Sequence, residues 1–387
     1  MFPVASIRNL YGLSVEELSE ALSPLEPRPF TARQIAAHLY ARRLLDFDRM
    51  TDLPAKLRAE LARSFTIQLP SPAETLVSRD GTTRYVLSLP SAGSVEAVFI
   101  PSGKRATLCI SSQSGCALGC TFCMTGTLGL LRHLSSGEIA GQVALLMDLH
   151  RLRPNCFNIV FMGMGEPLHN YQALKAALRL LCDRRTGFGI SPGHITVSTA
   201  GLAPAIEKLA AEEIVPRLAV SLNATTDEAR SRIMPINKSY PILSLMEACG
   251  KFLREAGQRL TLEYVMLSGV NDSREDLPRL ARLASSLPAR VNLIPFNATP
   301  ELPFQPSPME QVRRFRDGLL KRGVRASIRA SRGPDIRAAC GQLSFGAPGD
   351  GAAGTGRGES AAGKNRRASD PPEAAMERAA AGELVAR

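Results

Sequence analysis

Three cysteines decide what chemistry this 387-residue chain can do. Cys116, Cys120 and Cys123 fall at spacings of four and three in Gly-Cys-Ala-Leu-Gly-Cys-Thr-Phe-Cys-Met, residues 115–124. A closed zinc site or an ordinary iron-sulfur cluster takes four protein ligands, whereas three thiolates hold a 4Fe-4S cluster by three corners and leave one iron open to a substrate. A zinc site completed by a distant ligand such as His133, or a set of reactive thiols, would use the same residues, although C-x3-C-x2-C is not a usual zinc spacing. Two further thiols stand apart: Cys109 in the apolar run ahead of this loop and Cys340 in Ala-Cys-Gly-Gln. Taken alone, these two read as core packing, as do Cys156, Cys182 and Cys249 in or beside apolar stretches. Five scattered histidines form no Ser-His-Asp pattern, so hydrolytic chemistry has little support.

The elements that must position the thiols follow from the periodicity. From Ala106 to about Ser331, short apolar runs alternate with longer amphipathic ones. Strands are expected at 107–110, 157–162, 194–198, 217–222, 261–266, 291–295 and 325–328, with helices between them such as 137–149 and 171–181. This repetition implies an α/β fold with a parallel sheet and helices outside it, without distinguishing an open sheet from a barrel. Chemistry in parallel barrels gathers at the carboxyl ends of strands. Small and polar residues fall at those ends: Gly163-Met-Gly165-Glu166, Ser198-Thr-Ala-Gly201, Ser221-Leu222-Asn223 and Asn297.

Upstream, residues 1–70 read as helices, with Ser14/Glu17 and Thr31/Gln34 as capping-box pairs. Residues 71–105 read as a β segment: strands at 74–78 and 83–89 flank Asp80-Gly81, and a third covers 95–100. That third strand carries Glu96 on the face of Val98 and Ile100. The pattern favours an edge-strand charge reaching solvent over a buried carboxylate. Residues 106–346 form the core segment. Residues 347–387, rich in Ala, Gly, Pro and charge, are expected to be disordered.

The formal net charge is +11, and residues 347–387 hold six basic and six acidic side chains, so the whole excess sits on residues 1–346. A basic body favours a polyanion, because phosphate contacts release counterions; a merely solvated basic surface is the alternative. Eight cysteines in a chain this long do not make a secreted disulfide framework. No apolar run reaches membrane-spanning length and residues 1–13 lack a leader pattern, so the expectation is a cytoplasmic protein that touches no membrane.

The cysteine loop, with Phe122 directly before its last thiol, resembles the cluster loop of radical S-adenosylmethionine (SAM) enzymes. Thr107-Leu-Cys-Ile-Ser-Ser-Gln-Ser-Gly-Cys116 and Ala338-Ala-Cys340-Gly-Gln-Leu343 narrow the resemblance to the RlmN/Cfr family of adenosine methyltransferases, over residues 8 to 345. The resemblance implies a partial (βα)6 barrel and an N-terminal helical accessory domain that helps hold RNA. It implies one 4Fe-4S cluster on Cys116, Cys120 and Cys123, and two SAM molecules per turnover. SAM contacts carry over to Gly165, Glu166, Ser198, Ser221, Leu222, Asn223 and Asn297. Asn223 stands where many members have His, and His133 where Asn is common.

The family chemistry also explains the other thiols. C-2 of adenine has no lone pair with which to attack a sulfonium methyl. By resemblance, Cys340 would carry the methyl as S-methylcysteine and pass it on by a radical route. Glu96 or Cys109 would take the ring proton, and Cys109 would release the product through a transient disulfide with Cys340. The implied substrates are 23S rRNA and tRNA, methylated at C-2 (alternatively at C-8, as in Cfr). The expected partners are an electron donor such as flavodoxin and no second subunit.

Overall fold

The computed structural model describes residues 7–103 and 105–344; the tail expected over 347–387 lies outside the described residues. Among them, a ten-stranded sheet organises the molecule. Its strands, in chain order, are β1 (Ser71–Val77), β2 (Thr83–Ser88), β3 (Ser94–Ser102), β4 (Arg105–Cys109), β5 (Phe157–Phe161), β6 (Ile195–Thr199), β7 (Arg217–Ser221), β8 (Leu260–Met266), β9 (Arg290–Pro295) and β10 (Ala326–Ile328). Spatial order follows chain order throughout. β4 to β10 are parallel, in agreement with the seven expected strands, and β1 to β3 extend the sheet antiparallel beyond β4.

Seven parallel strands laid flat would spread over about 29 Å, at about 4.8 Å per neighbour. Here Cys109 on β4 and Arg329, one residue past β10, line the same cavity, so the sheet curls into a partial barrel. Alternation sets its two faces. In β5 and β6 the buried positions Phe157, Ile159 and Phe161, and Ile195 and Val197, are apolar. The alternate parity supplies Ser198 on β6, with Glu263 and Val265 on β8, to the concave side. Helices close the outside. In Tyr171–Cys182, Leu174, Ala177, Leu178 and Leu181 recur at helical spacing and are buried, each leucine contributing about 2 kcal/mol by leaving water.

Two elements differ from expectation. The Ser14 capping box forms, but Thr31 is the first residue inside its helix and Phe30, with no side-chain bond, is the cap. β3 is an interior strand, paired with β2 on one side and β4 on the other. Glu96 is therefore fully buried instead of reaching solvent from an edge.

The N-terminal helices Val15–Leu22, Thr31–Ala36 and Ala55–Ser64 share one apolar core with the barrel. The contact is close at Gly12, where φ is +102° and a Cβ would stand 2.4 Å from Gly137 Cα. Ser136 Oγ donates to Gly12 O at 2.9 Å, and Arg43 pairs with Asp148 at 2.8 Å.

Candidate active site

The cysteine loop is held at its base by a small hairpin, Gln113–Gly115 against Leu130–His133. Cys116 N–H donates to Gly129 O at 2.8 Å, Thr121 N–H to Ile233 O at 3.0 Å and Cys123 N–H to Cys120 O at 3.1 Å. These bonds turn all three thiols into one cleft. Burial pushes the Cys116 thiol up to about 12, and raises Cys120 and Cys123 as well. Among the described residues no three His, Cys, Asp or Glu side chains converge on a single metal ion. His133 does not line the cleft; its Nδ1 meets Gln113 Nε2 at 3.1 Å, and its ring lies edge-on to His169. The zinc alternative through His133 thus has no geometric support, whereas a 4Fe-4S cluster takes its thiolates at separate corners.

Strand exits supply the opposite wall. Gly165 has a φ of +97°, and a Cβ there would come within 2.5 Å of Gln113 Cβ; the glycine lets the loop after β5 lie against the cluster hairpin. Glu166 follows, 3 % exposed, accepting from Ala200 N–H at 2.7 Å and Leu168 N–H at 3.0 Å. Burial pushes its carboxyl up to about 7 against those bonds. Ser198, Ser221, Asn223 and Asn297 line the same cleft. Asn223 sits at φ +54°, its Oδ1 accepting from Val265 N–H at 2.9 Å. Leu222 does not line the cleft: its side chain is fully buried in the core.

Several residues at the site were not singled out from sequence. Arg230 is buried beneath the rim, donating to Leu222 O at 2.9 Å, Ala200 O at 2.6 Å and Ser221 O at 3.0 Å, so one guanidinium ties two strand exits together. Glu263 lines the cleft with Oε1 bonded to Asn292 at 3.0 Å and Oε2 without a hydrogen-bond partner. Its nearest cation is Arg329, at 4.0 Å. The signals were present: Glu263 is a carboxylate inside Leu260-Thr-Leu-Glu-Tyr-Val-Met266, and Arg329 is a strand-exit residue.

Cys340 lines this cleft and also a smaller adjoining cavity, which Cys109 and Arg329 share. Both thiols are free, as are all eight cysteines. Burial pushes Cys109 up to about 12; the Cys340 sulfur adds to the rise and Arg329 opposes it. Glu96 lines neither cavity, being paired with Arg84 at 2.6 Å. Of the cysteines read as packing, Cys249 is buried and Cys182 partly so, but Cys156 is exposed.

The donor set fits what such a site would bind. Three clustered thiols can hold an iron-sulfur cluster. A buried carboxylate oxygen lacking a donor, on Glu263, and the Glu166 carboxylate suit a ligand carrying an ammonium and hydroxyls. A curled parallel sheet with a three-cysteine loop at its carboxyl rim defines a radical SAM enzyme, and the Radical SAM superfamily model matches residues 110–284. The ribosomal RNA large subunit methyltransferase N-terminal domain matches residues 8–67. A solved radical SAM methyltransferase from Sphaerobacter thermophilus is 42% identical, with a TM-score of 0.81 over 87% of this chain and 99% of that one. The dual-specificity RNA methyltransferase RlmN of Anaeromyxobacter sp. (strain Fw109-5) is 47% identical over 350 residues, 88% of this chain and 92% of the relative. That of Geobacter sulfurreducens is 45% identical over 335 residues, 87% and 91%. The chain belongs to the RlmN family. No helix among the described residues is long and apolar enough to cross a membrane.

Proposed function

We propose that this protein methylates C-2 of adenosine in 23S rRNA and in tRNA, with Cys340 as the methyl carrier. The observation that carries the reading is the seat of Cys340: it faces the cleft of the three thiols on one side and the cavity of Cys109 on the other. Kinship with RlmN-named relatives favours C-2 over the C-8 chemistry of Cfr. Cys116, Cys120 and Cys123 would hold the cluster, and Gly165, Glu166, Ser198, Ser221, Asn223, Asn297 and the Leu222 backbone would surround SAM. When bound, these groups supply first a methyl cation equivalent and then, with a second SAM and one electron, a hydrogen-abstracting radical.

The chain's own residues do the rest. Cys340, as thiolate, accepts the methyl on sulfur. After a hydrogen atom leaves that methyl, its carbon bonds C-2 and links enzyme to RNA. The adduct, still carrying the unpaired electron, gives up one electron, the equivalent of the one spent on the second SAM, and a base removes the C-2 proton. Glu96 serves if its bonds release, and Cys109 is the alternative. Cys109, as thiolate, attacks the Cys340 sulfur, the departing methylene carbon takes up a proton to become the RNA methyl group, and the resulting disulfide needs two electrons for reduction. Residues 1–70 and the positive body support RNA docking, with residues 71–105 as the β segment and 106–346 as the catalytic core. A flavodoxin-type donor, a monomer and a cytoplasmic setting complete the reading.

The test is chromatographic and mass analysis of nucleosides from RNA treated with the reduced enzyme. Release of 2-methyladenosine is expected; the 8-methyl isomer would overturn the assignment. Two further outcomes concern SAM. Gly165→Ala should weaken SAM binding at least about tenfold, measured by titration, because the positive φ and the Gln113 contact both exclude a side chain. Glu166 titrates near 7 before the ligand arrives, and its ionised form attracts an ammonium. SAM affinity should therefore rise as pH passes upward through about 7, and that dependence should vanish in Glu166→Gln.

A further inference from the structure

Cys340 lies on a strap, residues 329–344, that crosses back over the antiparallel extension of the sheet. The β1–β2 turn holds its first half: Ser78 Oγ donates to Asp335 Oδ1 at 2.6 Å, and Gly333 N–H to Asp80 Oδ2 at 3.2 Å. The cluster loop holds the far half, through Met124 N–H to Gly341 O and Thr125 Oγ1 to Leu343 O, both at 2.8 Å. Beside these anchors one ion pair touches both ends of the Cys340 loop. Arg84 Nη1 donates to Ile336 O at 2.9 Å, Arg84 Nη2 meets Glu96 Oε1 at 2.6 Å, and Glu96 Oε2 accepts from Ser344 N–H at 3.1 Å. Arg84 is 1 % and Glu96 0 % exposed.

A buried ion pair is seldom better for stability than apolar residues of the same volume. What it offers here is direction: donors toward one end of the loop and an acceptor toward the other. We infer that Arg84 is a positioning residue, and that with Glu96 it forms a clasp seating the Cys340 loop between the two cavities. While the clasp is closed Glu96 lines neither cavity, so service as the base at C-2 would require the clasp to open. This deepens the reading that Cys340 carries the methyl and rests on it.

The experiment uses the full-length, cluster-loaded protein. Hydrogen exchange by mass spectrometry is measured over residues 333–344 and over the helix 242–256 as a reference, for wild type, Arg84→Gln, Arg84→Lys and Ser344→Pro. Cys340 methylation after incubation with SAM and a reductant is read by peptide mass. Arg84→Gln should speed exchange in 333–344 about tenfold without moving the reference helix, and should slow Cys340 methylation while the cluster absorbance is retained. Arg84→Lys should restore part of both. Ser344→Pro, which removes the amide donor to Glu96 and fixes φ at that residue while leaving the Arg84 bond to Ile336 in place, should loosen the loop in the same way, and its exchange decides the matter if Arg84→Gln does not fold. Wild-type exchange in a folded Arg84→Gln or in Ser344→Pro overturns the clasp, as does loosening spread equally over the reference helix. Absence of any methyl on wild-type Cys340 would instead defeat the carrier reading, with the exchange arm still judging the clasp.

Discussion

Substituting Cys340 by alanine is expected to lower RNA methylation by more than about 1000-fold, the loss ordinary for removal of a covalent nucleophile. The protein should still fold. The strap is anchored through the backbone, by Met124 N–H to Gly341 O, Thr125 Oγ1 to Leu343 O and Asn297 Nδ2 to Cys340 O, and none of these bonds uses the thiol. The side chain faces two cavities and is not locked in the core, so truncation should cost under about 1 kcal/mol. Cys340→Ser sharpens the point: it keeps size and polarity, yet a hydroxyl at neutral pH is too weak a nucleophile to take a methyl from sulfonium. Both variants should load a cluster to the wild-type level, measured by iron and absorbance. Near-normal yields of methyladenosine from either would remove Cys340 from the reaction.

How much of this was legible before the fold depended on the range of the information. The thiol loop was readable because three ligands lie within eight residues, 116–123, and spacing alone limits what they can bind. The seven parallel strands were readable because apolar runs and helical stretches alternate locally. Glu96 was misplaced because edge and interior are properties of topology. Its strand looks the same in either setting, and only pairing with β4 buries it. Its Ser344 partner is remote, 248 residues away, and Arg84, on the neighbouring strand, itself reaches 252 residues to Ile336. Leu222 was carried over as a SAM contact by family resemblance together with Ser221 and Asn223; those two line the cleft, and alternation at the end of β7 turns the Leu222 side chain into the core, which the resemblance does not encode. Thr31 failed as a cap because the chain enters its helix one residue earlier, at Phe30, a choice the Ser/Thr-x-x-Gln pattern does not encode.

Substituting Cys109 by alanine should stop the reaction later and leave a visible product: a covalent RNA–enzyme adduct that survives denaturing electrophoresis and collapses to a small mass increment after nuclease treatment. Cys340 would still gain its methyl and bond C-2, but no thiol would remain to displace the carbon from sulfur. The thiol that normally does so is poorly ionised, since burial pushes Cys109 up to about 12. The sign follows directly: below that value the thiolate fraction grows with pH, so where release limits turnover, adduct decay in the wild type should accelerate about tenfold per pH unit from neutral upward. Arg329 is the charged group that opposes the rise, beside a backbone bond at Met162, and Arg329→Gln should slow decay at every pH while leaving the slope intact. Adduct decay that is insensitive to pH would mean that a group other than Cys109 severs the carbon–sulfur bond. Failure of Cys109→Ala to accumulate any adduct, with Cys340 methylated, would place the need for Cys109 before the carbon–carbon bond forms and remove it as the thiol that resolves the adduct.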